Sequence, residues 1–320
     1  PGPTAPRGTT FGSTSGSKLA LSPLGTQVAY VQNYSGVDEL FVVQTDGTGV
    51  SVQITYQTRF ASGVNQIANL FWANENNLFF MAGAVGGFDV YKWDVAAATA
   101  TNLTGYGSKT QPFDGLGEFS PMGEWVSPNG GWLYWIEYSL QTNERSIGGV
   151  DLSSFKVVKV VEHVDFGQGI GSFSPCSNSG MLYFSAKPDF QKELYEIWGF
   201  DQNQGQVATQ LTNMGTGTYW FVRDLSLNGS CTKLVWSAGV MLDVRLIYSL
   251  SLPMTKLPEQ VTIVPRNIAE TIRFTPDGTT VVFGSGGSTD KETLKAVPLP
   301  GGASTTLDNQ AGYMHIFTVY

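Results

Sequence analysis

Short apolar runs alternate with polar turn residues along most of the chain. The segment FTPDGTTVVFG, which begins at Phe274, shows the pattern: an apolar strand end, a Thr-Pro-Asp-Gly turn and a second apolar strand. Proline presets φ for such a turn, and glycine accepts a positive φ. Because no segment keeps the i, i+3, i+4, i+7 spacing of an amphipathic helix, the pattern predicts antiparallel β-strands joined by tight turns.

The same hairpin occurs six times. The polar residue that opens each turn is found at Ser22, Ala73, Ser127, Ser174, Ser226 and Thr275, where Ala73 marks a degenerate copy. The intervals between these positions are 51, 54, 47, 52 and 49 residues. In each copy an acidic residue, a third strand and a short fourth strand follow. The repeat is therefore predicted to be a four-stranded antiparallel meander of about 50 residues.

One such meander cannot bury both faces of its sheet, whereas several meanders packed around an axis can. The repeat therefore predicts an all-β fold, a six-bladed β-propeller of four-stranded antiparallel blades. The predicted propeller covers residues 17–311, with blades at 17–57, 64–107, 122–164, 169–215, 219–266 and 268–309. Residues 1–16 form an N-terminal extension. A terminal strand at 312–320 is expected to close the ring by pairing with residues 9–15, and a truncated seventh blade is the alternative.

Charge and composition exclude two classes of function. The formal net charge is −8 and no Lys/Arg run occurs, so the electrostatic footprint of a nucleic-acid-binding protein is missing. No window of 18 apolar residues occurs that would predict a membrane span. The chain begins at Pro1 without Met, which suggests either a removed leader or a numbering that starts at a processed or engineered end. With few lysines and only two cysteines, the chain is expected to be exported, either to a periplasm or outside the cell.

The order of strand, Ser-Pro-Asp-Gly turn, Val/Ile-Ala-Phe/Tyr strand, acidic loop, strand and Leu-Thr ending resembles the repeat of TolB-like six-bladed propellers. It is also similar to the propeller part of prolyl-oligopeptidase-type serine peptidases. The resemblance runs from Lys18 to Asn309 and departs from the family in the worn turn of the second copy. It implies a propeller fold. Such propellers serve as docking platforms, periplasmic complex subunits, substrate-gating domains and, in some cases, lyases.

The residues themselves predict little catalytic chemistry. No Gly-x-Ser-x-Gly motif occurs, and His163 and His315 are the only histidines, too few for a multi-histidine metal site. We therefore predict no cofactor and no metal. Acidic residues recur near the start of the third strands, at Asp38, Glu39, Asp89, Glu144, Glu193, Asp243 and Glu292. Because a catalytic pair occurs once and these acids repeat, we predict a structural role for them.

Small and aromatic residues are also expected to serve packing. The Gly169–Ser172 segment is predicted to let inner strands approach each other. Inter-blade packing is predicted for Trp72, Trp132, Tyr134, Trp135, Trp198, Trp220 and Trp236. Cys176 and Cys231 fall in turns of neighbouring blades, where a disulfide is one interpretation and two isolated small apolar residues the other. Three N-glycosylation sequons, at Asn33, Asn102 and Asn228, matter only in a host that glycosylates.

The repeat is broken by an insertion at residues 109–125, before the third blade. Its residues Phe113, Phe119, Met122 and Trp125 are the predicted partner-binding residues. The predicted function is a non-catalytic exported scaffold that binds a partner protein or belongs to an envelope or extracellular assembly. An ion or small ligand can occupy the axial channel of such a ring. The alternatives are a carbohydrate- or peptide-active enzyme with carboxylates at the channel mouth, and the accessory propeller of a prolyl-oligopeptidase-type peptidase.

Overall fold

The computed structural model describes residues 19–34, 36–55, 66–84, 87–105, 131–138, 145–161, 170–176, 179–187, 195–203, 208–213, 221–241, 244–253, 257–265, 272–286 and 292–311. These ranges contain 23 strands in six antiparallel sheets, which we number along the chain. The prediction of an all-β chain built from repeated antiparallel meanders is confirmed. The extension at 1–16 and the terminal strand at 312–320 lie outside the described residues, so ring closure stays a prediction.

The first three sheets follow the chain in simple meander order. Sheet 1 consists of β1 (Leu19–Leu21), β2 (Gln27–Tyr34), β3 (Val37–Gln44) and β4 (Val52–Gln53). Sheet 2 consists of β5 (Gln66–Asn74), β6 (Asn77–Ala84), β7 (Gly87–Asp94) and β8 (Thr99–Asn102). Sheet 3 shows three strands in the described residues, β9 (Trp132–Tyr138), β10 (Arg145–Asp151) and β11 (Val157–Val161).

The last three sheets have four strands each. Sheet 4 consists of β12 (Phe173–Pro175), β13 (Met181–Ala186), β14 (Glu196–Asp201) and β15 (Thr209–Gln210). Sheet 5 consists of β16 (Phe221–Leu227), β17 (Lys233–Met241), β18 (Val244–Ser251) and β19 (Glu259–Pro265). Sheet 6 consists of β20 (Ile272–Phe274), β21 (Thr280–Gly286), β22 (Glu292–Pro298) and β23 (Thr305–Ala311).

The turns between first and second strands share one hydrogen-bond pattern. The residue that opens the turn donates its N–H to the carbonyl of the residue five positions later, in the pairs Ser22 to Gln27, Cys176 to Met181, Asn228 to Lys233 and Thr275 to Thr280. The predicted equivalence of Ser174 and Ser226 with Ser22 was therefore wrong by two residues. Both serines lie on the first strands instead and are buried, and the Ser174 hydroxyl accepts a hydrogen bond from the Leu227 N–H of the next sheet.

The core lies between successive sheets. Five clusters of buried side chains join sheet 1 to sheet 2, 2 to 3, 3 to 4, 4 to 5 and 5 to 6. Trp72, Trp135 and Trp236 are fully buried in three of these clusters. Their predicted role in packing between repeats is confirmed. First strands of neighbouring sheets also contact each other, as β12 contacts β16 and β16 contacts β20.

The two ends of the sheets differ in the connections that they carry. The turn end carries the turns from first to second strand and from third to fourth strand. The connection end carries the hairpins from second to third strand and the segments that lead from one sheet to the next. β8 runs towards the connection end, because its first residue Thr99 pairs with Asp94 at the end of β7 and its last residue Asn102 pairs with Tyr91 in the middle of β7. The insertion at 109–125 therefore follows a strand that finishes at this end.

Candidate functional site

Several predicted site residues lie outside the described part of the chain. They are the partner-binding residues Phe113, Phe119, Met122 and Trp125, and the histidines His163 and His315. Their assignments stay predictions. The predicted acids Glu144, Glu193 and Asp243 also lie outside the described residues. The structure does describe the other repeated acids and the two cysteines, so it shows which contacts these groups make.

At the connection end of sheet 1, the third strand is joined to the fourth segment by a carboxylate. Thr55 follows β4 and donates its hydroxyl to Glu39 Oε2 at 2.5 Å. The same hydroxyl oxygen accepts the backbone N–H of Leu40 at 2.8 Å. All three groups are buried. Glu39 thus holds the threonine in the position where it satisfies a backbone donor of β3.

The arrangement recurs in sheets 2 and 4. In sheet 2, Thr104 donates its hydroxyl to Asp89 Oδ1 at 2.7 Å and accepts the N–H of Val90 at 3.1 Å. In sheet 4, Thr212 donates its hydroxyl to Glu196 and accepts the N–H of Ile197 at 2.9 Å. We call these three pairs the acid–threonine pairs. The pairs of Glu39 and Asp89 agree with the structural role predicted for the repeated acids. Glu196 was not among the predicted acids, and the predicted Glu193 lies outside the described residues.

Asp38 also serves the packing of sheets. Its Oδ1 accepts a hydrogen bond from Asn33 Nδ2 at 2.9 Å within sheet 1, and its Oδ2 accepts the N–H of Ile67 in sheet 2 at 3.2 Å. A carboxylate that works as a catalytic acid or base needs access to a substrate proton. Asp38 is 6% exposed and Glu39 is 5% exposed. Their geometry stabilises the sheets rather than presenting carboxylates to solvent.

Glu137 is a buried acid that the repeat pattern did not predict. It lies on β9 with no exposed surface, and its Oε1 accepts a hydrogen bond from Trp135 Nε1 at 3.3 Å. A Cβ atom at Gly148 would lie 2.5 Å from that oxygen, so the glycine leaves the space that the carboxylate fills. The chain offers no sequence signal for this site, because Glu137 lies in an otherwise apolar and aromatic strand.

At the turn end, a carboxylate joins sheets 1 and 2. Glu75 lies in the turn between β5 and β6, and it accepts the Leu24 N–H and the Thr26 hydroxyl, each at 2.5 Å. Gln27 donates its Nε2 to the Glu75 carbonyl at 3.0 Å. Partial burial opposes ionisation, but the hydrogen bonds from Thr26, Leu24 and their neighbours outweigh it and hold the pKa of Glu75 below its usual value.

The next two interfaces use aromatic side chains. Lys92 of sheet 2 places its ammonium 3.8 Å from the ring centroid of Phe155 in sheet 3, a cation–π contact. Tyr134 of sheet 3 donates its hydroxyl to Gln202 Oε1 of sheet 4 at 2.5 Å. Burial raises the pKa of Tyr134, so the phenol keeps the proton that it donates.

Sheets 4 and 5 are joined covalently. Cys176 and Cys231 form a disulfide, with their Cα atoms 5.6 Å apart. Cys231 has a φ of 56° and donates its N–H to the Asn228 carbonyl, as Gly25 does to Ser22 and Gly278 to Thr275. Cys231 therefore occupies the position that glycine holds in two other turns.

The inner strands of sheets 4 and 5 approach each other closely. A Cβ atom at Gly171 would lie 2.9 Å from the Val222 carbonyl oxygen and 2.7 Å from the Ser185 hydroxyl. The predicted packing role of this glycine segment agrees with that geometry. Between sheets 5 and 6, Asn228 packs against Gly278, where an added Cβ atom would lie 3.2 Å from the amide nitrogen of Asn228.

The described residues contain no group of three or more His, Cys, Asp or Glu side chains that could hold a metal ion. In the same residues, no helix is long and apolar enough to cross a membrane. What these residues do present is at least one link between each pair of neighbouring sheets along the chain, and three acid–threonine pairs within sheets.

Solved structures resemble this arrangement over nearly the whole chain. An oligogalacturonate lyase in complex with manganese matches with a TM-score of 0.61 and 14% identity, over 98% of this chain and 87% of the lyase chain. TolB from Acinetobacter baumannii matches with a TM-score of 0.50 and 15% identity, over 89% of this chain. The chain has a β-propeller fold. It spans 65% of the TolB chain.

Peptidases show the same fold in part of their length. Dipeptidyl peptidase 4 from Porphyromonas gingivalis matches with a TM-score of 0.58 and 12% identity, over 91% of this chain and 45% of the peptidase chain. No protein-family model and no curated protein matches the sequence. At these identities the similarity shows the fold alone, and that fold occurs both in TolB and in enzymes.

Proposed function

We propose that the chain is a six-bladed propeller that acts outside the cytoplasm as a non-catalytic scaffold, and that it binds a partner protein or belongs to an envelope or extracellular assembly. The observation that supports this most is that described acids of the repeat are hydrogen-bonded within the fold. Glu39, Asp89 and Glu196 each accept a hydroxyl hydrogen bond from a threonine of their own sheet. These three carboxylates therefore serve the fold.

The proposed partner surface is the insertion at 109–125 with Phe113, Phe119, Met122 and Trp125. Two observations support it. The insertion departs from the repeat, so its aromatic residues are not needed for the regular packing between sheets. It also follows β8, which finishes at the connection end. In ring-shaped folds, binding sites gather at an end of the central axis.

Affinity capture from the native source tests this surface. A tagged wild-type chain is expected to retain a defined partner, and the Phe119→Ala and Trp125→Ala variants are expected to lose it. Leu257→Ala is the matched control, because Leu257 is 79% exposed and lies beside the first residues of β19 at the turn end. If Phe119→Ala and Trp125→Ala melt like the wild type and still retain the partner, the surface assignment is wrong.

A carbohydrate-active enzyme is the second candidate. The match to the oligogalacturonate lyase favours it, because it covers 87% of that enzyme chain, whereas the match to dipeptidyl peptidase 4 covers 45%. The assay is incubation with oligogalacturonate, with and without Mn²⁺, while the ultraviolet absorbance of an unsaturated product is followed. The scaffold proposal predicts no change in absorbance, and sustained turnover would replace it with the lyase.

The accessory propeller of a peptidase is the third candidate. Its support is the partial match to dipeptidyl peptidase 4. Reading the gene on both sides of this sequence tests it, because a peptidase domain encoded in the same frame would favour it over the scaffold.

A further inference from the structure

The asparagines of the three sequons differ in solvent exposure and in the number of hydrogen bonds that their side-chain amide groups donate. An Asn-x-Ser/Thr sequence is the acceptor for N-linked glycans, and an asparagine amide has two N–H hydrogens. Glycosylation replaces one of these hydrogens. A folded glycoprotein therefore needs an exposed asparagine that can lose one N–H without losing a hydrogen bond.

Asn33 meets both conditions. It is an exposed residue near the end of β2, next to the hairpin that leads to β3 at the connection end. Its Nδ2 donates one hydrogen bond, to Asp38 Oδ1 at 2.9 Å, and no second acceptor is seen among the described residues. Its Oδ1 accepts the N–H of Gly36 at 3.1 Å, which fixes the side chain in the turn.

Asn228 meets neither condition. It is 7% exposed, and its Nδ2 donates to the hydroxyls of Ser230 and Thr232, each at 3.0 Å. Its Oδ1 accepts the backbone N–H groups of Thr232 and Lys233. The Cβ position at Gly278 lies 3.2 Å from the Asn228 amide nitrogen, so the neighbouring turn leaves no space for a sugar ring.

Asn102 is exposed but fully engaged. Its Nδ2 donates to Asp89 Oδ2 at 3.0 Å and to the Tyr91 hydroxyl at 3.2 Å. A glycan here would remove one of two bonds that hold the end of β8 beside the Asp89–Thr104 pair. Unlike Asn33, this asparagine cannot be modified without a loss to the fold.

We propose that Asn33 is the N-glycosylation site of the folded protein and that Asn102 and Asn228 stay unmodified. In the transfer, a bond forms between Nδ2 and C1 of a sugar carried on a lipid diphosphate. The C1–O bond to the diphosphate breaks, the diphosphate leaves with the electron pair, and one proton leaves Nδ2. The N–H that remains on Asn33 suffices for the bond to Asp38. A glycan on Asn228 would prevent its turn from closing.

The test is secretion of the full chain by a yeast host. The folded protein is deglycosylated with peptide-N-glycosidase in heavy-oxygen water, which converts each glycosylated asparagine into a labelled aspartate. Peptide masses are expected to show the label at Asn33 and at neither other sequon. A label at Asn228 or Asn102, or an unlabelled Asn33, would overturn the proposal.

Matched variants separate the sequons from the side chains. Ser35→Ala keeps Asn33 but removes its sequon, and it is expected to remove the whole glycan mass from the intact protein. Ser230→Ala removes the sequon of Asn228 in the same way and is expected to change nothing in that mass. If Ser35→Ala leaves the mass unchanged, the proposal is wrong. It rests on the exported location proposed above, but the glycan is read without any partner, so the two proposals can fail separately.

Discussion

Removal of the disulfide between Cys176 and Cys231 is a quantitative test of how sheets 4 and 5 are held together. The two cysteines are separated by 55 residues. A cross-link that closes a loop of this length lowers the chain entropy of the unfolded state and stabilises the fold by about 4 kcal/mol at 25 °C. For a chain of 320 residues, this free energy corresponds to about 6 °C in the melting temperature.

The perturbation is best made with a pair of double variants. Cys176→Ser combined with Cys231→Gly removes the link and suits the positive φ of residue 231. Cys176→Ser combined with Cys231→Ser removes the link but keeps a side chain in a left-handed conformation, which costs about 1 kcal/mol. The serine double variant is therefore expected to melt below the glycine double variant, and both below the wild type.

Thermal unfolding followed by circular dichroism, with and without a thiol reductant, is the assay. Reductant is expected to lower the wild-type melting temperature towards that of the serine double variant and to leave both double variants unchanged. An unchanged wild-type melting temperature after complete reduction, checked by thiol titration, would refute the reasoning that this link stabilises the fold.

Three further changes test individual contacts. Thr55→Val removes the hydroxyl that donates to buried Glu39, and it is expected to lower the unfolding free energy measured in urea titrations by about 2 kcal/mol. Thr101→Val on exposed β8 is the control and should change it little. Equal effects would contradict the stabilising role of the acid–threonine pairs. Gly171→Ala brings a Cβ atom within 2.9 Å of a backbone oxygen, and it is expected to lower the free energy of unfolding by about 1 to 3 kcal/mol. Gly229→Ala is its control, because an added Cβ atom there meets nothing within 4 Å. An unchanged stability of Gly171→Ala would show that the inner strands have space for a side chain. Because folding lowers the pKa of Glu75, its carboxylate stabilises the fold above the unfolded pKa of about 4.3, and this stabilisation is lost as pH falls through the folded pKa. The wild type should therefore lose more unfolding free energy on acidification than Glu75→Gln. Parallel profiles of unfolding free energy against pH would contradict this.

The sequence was sufficient for the repeating unit. Apolar alternation and Pro-Asp-Gly turns act locally, so the segment from Phe274 predicted both strands of its hairpin, which the structure places at β20 and β21. Repetition of the third-strand acids also predicted the structural role that Asp38, Glu39 and Asp89 have. The predicted start of the turn was wrong by two residues at Ser174 and Ser226. A serine that opens a turn and a serine that hydrogen-bonds to a neighbouring strand look alike in the local sequence.

Of the links between sheets, only the disulfide was among the interpretations that the sequence offered. The links join residues about one repeat apart, and each uses a different chemistry: a carboxylate at Glu75, a cation–π contact at Lys92, a phenol at Tyr134 and a disulfide at Cys176. A repeated sequence pattern cannot predict a contact that occurs only once in the chain. The buried site of Glu137 was not predicted for the same reason. It depends on Gly148, which pairs with Trp135 on the neighbouring strand.

The central proposal is that the carboxylates of the acid–threonine pairs each stabilise their own sheet and do no chemistry. Glu39→Gln, Asp89→Asn and Glu196→Gln should each be compared with the wild type for melting temperature and for turnover of oligogalacturonate and of peptide substrates. We predict lower melting temperatures for all three variants and no turnover by any protein, including the wild type. Turnover by the wild type that one of these substitutions abolishes at an unchanged melting temperature would contradict the account.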